Sequence, residues 1–140
     1  MKAKQIKSKT AAAILTFAVL TLGITSCKKP AGEGGKSSIR GSIWVEDWNS
    51  GFTTKNDEYP GNDEDVYIIY GDDISYGDKV SANYKGEFEF KFLRKGKYKI
   101  YVYSEDKTLT TISKKNPITI DVEISSKKEV KTLDRITIYK

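Results

Sequence analysis

Histidine is absent from the 140 residues, cysteine and methionine occur once each, and there are three prolines. Without imidazole, neither a Ser-His-Asp nor a Cys-His arrangement can be assembled, and histidine-based zinc sites are excluded with them. Helical period is missing as well: no segment after residue 27 repeats its apolar residues at three- and four-residue spacing. Paired carboxylates are the catalytic chemistry that remains. The acids able to supply them crowd into NDEYPGNDEDVYIIYGDDISYGD, Asn56 to Asp78, which carries eight acids and no base. Most fall beside turn residues, where carboxylates are ordinarily solvated, so the expectation is a protein that is not an enzyme.

What is present starts with a leader. Lys2, Lys4, Lys7 and Lys9 precede a nearly unbroken apolar stretch from Ala11 to Ile24, which ends in Thr25, Ser26 and Cys27. A basic n-region, an apolar h-region and a small-residue cleavage site make up a secretory signal peptide. A membrane-spanning helix needs about 20 apolar residues, and this run is too short. At Ile24-Thr25-Ser26-Cys27 the chain resembles a bacterial lipoprotein precursor, whose lipobox cysteine is acylated and becomes the new amino terminus. The resemblance implies residues 1–26 as a cleaved signal peptide and Cys27 as a lipidation site that anchors the protein at the cell envelope, in the outer membrane. Two or three acyl chains hold stably, at about 0.8 kcal/mol per buried methylene. Surface-exported lipoproteins in some lineages carry acids after that cysteine; Lys28 and Lys29 here favour a periplasm-facing domain.

Cleavage also changes the charge. The precursor has 24 Lys and Arg against 19 Asp and Glu; without the four leader lysines the balance is 20 against 19. The basicity belongs to targeting and gives no nucleic-acid footprint, which would need clustered cations on a basic domain. The cluster KFLRKGKYK, Lys91 to Lys99, reads as solvated strand and turn lysines. The stretch KKPAGEGGKSS following Cys27 reads as a flexible tether over 27–38.

From Ile39 to Lys140 the pattern is strand-like, and its length suits one domain. Alternation puts Ile39, Gly41, Ile43 and Val45 on one face; Val66, Ile68 and Tyr70 follow, then Val80, Ala82 and Tyr84, then Phe88, Phe90 and Phe92. Tyr98, Ile100 and Val102 make a fifth strand and Ile118, Ile120, Val122 and Ile124 a sixth. A seventh holds Val130, Ile136 and Ile138, with a β-bulge near Leu133 to repair its phase. Turn signals separate them at Pro60-Gly61, Gly71-Asp72, Lys85-Gly86, Lys95-Gly96 and Asn116-Pro117. Seven short strands predict an all-β, two-sheet sandwich over 39–140.

The stretch YKGEFEFKFLRKGKYKIYVYSED resembles carboxypeptidase-regulatory-like and transthyretin-like (prealbumin-like) domains at Gly86, Phe88, Phe90, Leu93, Gly96, Tyr98, Ile100 and Val102. IRGSIWVED and NDEDVYIIY are similar to that family's first and second strands. The resemblance implies the sandwich fold and leaves function to be read from the surface. If the first, second and fifth strands share a sheet, Trp44, Tyr67, Tyr101 and Tyr103 stand on its solvent face, with Trp48 in the loop that follows. Grouped aromatics suit a partner protein or sugar rings. The alternatives are scattered aromatics chosen for β-propensity and, in the acidic run, a weak calcium site drawing on Asp57, Glu58, Asp63, Glu64 and Asp65, with Asp63 and Asp65 as its first candidates. In anchor, size and fold the chain is also similar to the outer-membrane lipoproteins of type VI secretion systems. The expectation is a lipid-anchored accessory module with an envelope protein partner, or else a glycan- or calcium-binding module.

Overall fold

Alternating apolar residues fold as strands throughout residues 29–140, the part of the chain described by a computed structural model. The leader and Cys27 lie outside the described residues. Nine strands occur among them: β1 (Glu33–Trp48), β2 (Lys55–Pro60), β3 (Asp65–Tyr70), β4 (Asp78–Ser81), β5 (Glu87–Leu93), β6 (Gly96–Glu105), β7 (Lys115–Ile124), β8 (Val130–Thr132) and β9 (Ile136–Tyr139). They make two sheets, so the expected all-β architecture is found, with two strands beyond the seven read from the sequence. β2 comes from KNDEYP, whose charges hide any alternation, and the last expected strand is divided at residues 133–135.

β1 organises one sheet. Its first half pairs antiparallel with β5 and parallel with β8; its second half pairs antiparallel with β2 and parallel with β9. The other sheet has the order β4-β3-β6-β7, with every neighbour antiparallel. From Arg40 to Ile43 β1 advances three residues, while its partner advances four, from Thr132 to Ile136. One extra residue is thus absorbed beside Leu133, the bulge that the phase change required.

The two inner faces meet in one core, which includes Ile39, Ile43, Val45, Val66, Ile68, Phe88, Phe90, Tyr98, Ile100, Val102, Ile124 and Ile138. Ser104 of β6 joins the sheets by accepting the backbone N–H of Tyr139 at 2.8 Å. Gly86 is required in its turn: it takes φ +76, and a Cβ there would lie 2.3 Å from the carbonyl oxygen of Ile43.

Several expected core positions are not in the core. Phe92 takes φ +59 and is 69% exposed, and Leu93 enters the core in its place. β1 absorbs the irregularity with shifted register, since Glu33 and Ser37 both face Leu93. Tyr84 is 74% exposed because β4 ends at Ser81 and the chain then turns outward. Val130 stands exposed on the short edge strand β8. Asn116-Pro117 is not a turn but part of β7. The segment read as tether is strand from Glu33 onward, and Ser37 and Ser38 are buried.

Candidate functional site

β3 and β6 are adjacent, and their register sets Tyr67 directly opposite Tyr101 on the outer face. The two rings stack with centroids 4.8 Å apart and an interplanar angle of 9°. Tyr103, two residues further along β6, meets both edge-on, at 5.8 Å from Tyr67 and 5.7 Å from Tyr101. Tyr76, from the β3–β4 turn, closes the group at 5.1 Å from Tyr67. Cross-strand aromatic pairs of this kind stabilise a sheet by about 0.5 to 1.5 kcal/mol beyond their burial. Tyr76 and Tyr103 remain about half exposed.

A polar margin borders these rings. The Asp65 carboxylate accepts from Lys79 Nζ at 2.8 Å and from Ser81 Oγ at 3.1 Å, both on β4. The Lys79 contact holds Asp65 below the usual carboxylate range. Burial pushes the phenols of Tyr67 and Tyr101 upward, so both stay neutral hydrogen-bond donors at ordinary pH.

The two tryptophans are elsewhere, contrary to the expectation of one shared face. β1 belongs to the opposite sheet, so Trp44 and Trp48 cannot join Tyr67, Tyr101 and Tyr103; strand order, which alternation does not encode, separates them. The Arg135 guanidinium lies 4.8 Å from the Trp44 ring. Trp48 is the last residue of β1 and not in a loop. Lys107 Nζ sits 4.1 Å from its ring and 4.9 Å from that of Tyr139, with Phe52 packed against both rings. The Trp48 indole N–H donates to Glu46 at 3.2 Å.

Lys107 is held over Trp48 by its neighbour Asp106, a buried carboxylate that begins the β6–β7 loop. Asp106 accepts from the backbone N–H groups of Thr108, Thr110 and Thr111 at 2.9, 2.9 and 2.8 Å and from the Thr108 hydroxyl. These bonds, the Thr108 hydroxyl foremost, keep it well below the carboxylate range.

The acids proposed for calcium are dispersed. Asp63 stands in a turn at φ +62, Asp57 and Glu58 lie on β2, and Glu64 pairs with Lys140. Asp65 is engaged by Lys79 and Ser81. No group of three such ligands converges among the described residues. Sequence reading missed Tyr76, which sits in a turn outside any alternation, and the Asp65-Lys79-Ser81 group, which only the β3–β4 pairing assembles.

No family model matches the chain, and no curated protein matches it. Among solved structures it is similar to a candidate carbohydrate binding protein from Pseudomonas aeruginosa, with a TM-score of 0.43 and 11% identity over 79% of this chain and 92% of that one. It is also similar to (S)-allantoin synthase, with a TM-score of 0.42 and 8% identity over 73% of this chain and 42% of that one.

Proposed function

We propose that the protein is a non-enzymatic binding module of transthyretin-like fold, anchored by lipid on Cys27 at a bacterial envelope membrane and docking on a partner protein through its tyrosine face. The observation that carries this reading is the cluster of Tyr67, Tyr76, Tyr101 and Tyr103 on an outer sheet face. Tyrosines supply large apolar area with few rotatable bonds and keep a hydroxyl for the partner, which is why they concentrate the energy of protein interfaces. The lipid anchor and the outer-membrane address are read from the resemblance to lipoproteins, and Lys28 and Lys29 slightly favour a periplasm-facing domain over a surface-exposed one.

A second reading, glycan recognition, draws on the Asp65-Lys79-Ser81 group beside Tyr67. A carboxylate, an ammonium and a hydroxyl next to aromatic rings match the donors and acceptors of a sugar.

The test compares natively acylated protein with a Tyr67→Ala/Tyr101→Ala double variant, in membrane crosslinking and on a glycan array. A crosslinked protein lost in the variant supports docking. Glycan retention lost in the variant and in Asp65→Asn, with no protein crosslink, selects the second reading. Mass analysis of the mature amino terminus decides the anchor separately.

A further inference from the structure

We infer that the end of the sandwich where the chain comes into the domain docks on anionic lipid headgroups, so that the domain stands on the membrane in one orientation. This rests on the lipid-anchor reading and adds a ligand and a direction to it.

The tether is short because the domain begins early. The Gly32 N–H donates to the Tyr98 hydroxyl at 3.1 Å, its carbonyl accepts from the Arg94 N–H at 2.9 Å, and Ala31 lies so close to Gly96 that a Cβ on that glycine would be 2.7 Å away. The four residues from Cys27 to Ala31 span at most about 14 Å when fully extended.

Two basic turns flank the point where the chain comes in. The β5–β6 turn brings Arg94 and Lys95, with Lys97 at the start of β6, and the β7–β8 turn brings Lys127 and Lys128. Ile124 of β7 faces Gly96 of β6, which puts both turns at the same end. Ser37 ties β1 to the second turn by donating to the Ser126 carbonyl at 3.2 Å and accepting the Glu129 N–H at 3.1 Å. Lys36 is exposed beside it. Among the described residues none of these six cations forms an ion pair.

Acids share this end without neutralising it. Glu33 accepts from the Tyr70 hydroxyl at 3.3 Å, and Glu129 is taken up by the N–H groups of Ser125 and Ser126 and by Lys131. Asp72 and Asp73 stand in the β3–β4 turn beside Lys97, and Glu123 faces Lys97 across the β6–β7 pair, so Lys97 is offset and the positive surface lies with Lys36, Arg94, Lys95, Lys127 and Lys128. Free cations held this near a leaflet gain from its negative surface potential, within the screening length of the medium. At the far end, beyond ten residues of β6 or about 33 Å of strand, the β6–β7 loop holds Ile112 in solvent.

The experiment places an environment-sensitive fluorophore on Ser125→Cys or on Ile112→Cys in the full, natively processed chain, whose Cys27 thiol is consumed by acylation. Each protein is reconstituted into vesicles containing phosphatidylglycerol and into vesicles of phosphatidylcholine alone, with a quencher on the headgroups. Quenching at residue 125 is expected to exceed that at residue 112 several-fold in the anionic vesicles, and a Lys95→Glu/Lys128→Glu pair should erase most of the difference while the protein still pellets with membrane. Equal quenching at the two sites, or a difference indifferent to lipid charge, overturns the inference. If mass analysis shows no acyl chain, the anchor reading fails by itself. Docking is then decided by sedimentation of the unacylated chain with phosphatidylglycerol vesicles at low salt, and failure to sediment overturns it.

Discussion

On the outer face of the β4-β3-β6-β7 sheet, four tyrosines pack on one another and leave Tyr76 and Tyr103 about half exposed, whereas each tryptophan of β1 on the opposite sheet lies under a cation. Both regions are rich in aromatic rings. They differ in what satisfies the rings: Arg135 and Lys107 already use the π-faces of Trp44 and Trp48, and Glu46 uses the indole N–H of Trp48. The tyrosines stabilise one another mainly through ring edges and faces within the cluster, with Lys79 Nζ farther off at 6.0 Å from the Tyr67 ring, and two of them still present surface. An aromatic residue on a strand is therefore a candidate for docking where part of its ring still presents surface after its internal contacts are made.

The assignment of faces underlies this comparison, and Phe90 breaks it most severely if wrong. Phe90→Ala should cost about 3 to 5 kcal/mol, because the ring is buried and a cavity would remain. Phe92→Ala, two residues on in the same Phe-x-Phe-x-Phe run, and Trp44→Ala should each cost about 1 kcal/mol or less, as expected away from the core. Comparable losses in urea denaturation at Phe90 and Phe92 would show that β5 runs in uninterrupted phase.

Acid tests the tryptophan corner next. Asp106 is depressed by its hydrogen bonds, and Glu129 is held down to about 2 by the N–H groups of Ser126 and Ser125 and by Lys131. A carboxylate with a lowered folded pKa contributes stability that is fully present above its unfolded value and lost as pH falls through the folded one. For Glu129 the loss should therefore begin as pH falls through the ordinary carboxylate value, near 4.5, and deepen toward pH 2. Asp106 is held lower than Glu129, so its protonation, which releases the loop that carries Lys107, should change the fluorescence of Trp48, followed in a Trp44→Phe background, only in stronger acid, below that window. Asp106→Asn should abolish the step, and a step that persists assigns the transition to another group.

A double-mutant cycle on Tyr67 and Tyr101 measures the stacked pair itself. The coupling should be about 0.5 to 1.5 kcal/mol, since the rings are cross-strand partners in contact. The same cycle on Tyr101 and Trp44, on opposite sheets, should return nothing measurable; a coupling there would restore the shared face that alternation suggested.

How much of this was legible in the sequence follows from what each signal encodes. Period-two alternation reports which way a side chain points along its own strand, and it placed Ile39, Ile43, Val45, Val66, Ile68, Tyr98, Ile100 and Val102 in the core correctly. It does not report which strands are neighbours, so Trp44 was grouped with tyrosines of the other sheet. A local reversal such as the positive φ of Phe92 leaves no trace in an unbroken run of alternating phenylalanines. β2 was missed because its charges are set by exposure on both faces, and Glu33 to Ser38 because glycine, lysine and serine look the same in a tether and in a strand whose polar groups are paired. The tyrosine site was half visible: Tyr67, Tyr101 and Tyr103 stood out, but their contact with Tyr76, Asp65 and Lys79 exists only once β3 lies between β4 and β6.

The smallest effect bears most directly on the contrast between the two aromatic regions. Lys107→Ala removes the ammonium from above Trp48 and Tyr139 and should cost only about 0.5 to 1 kcal/mol, the usual size of a partly exposed cation–π contact. Its second consequence separates the readings more sharply. With the cation gone, the Trp48 face is open, yet partner capture by the tyrosine face should be unchanged, because that face belongs to the other sheet. If Lys107→Ala weakens capture as much as Tyr101→Ala does, the tryptophan corner contacts the partner as well, and the cation over Trp48 is part of the interface rather than a substitute for one.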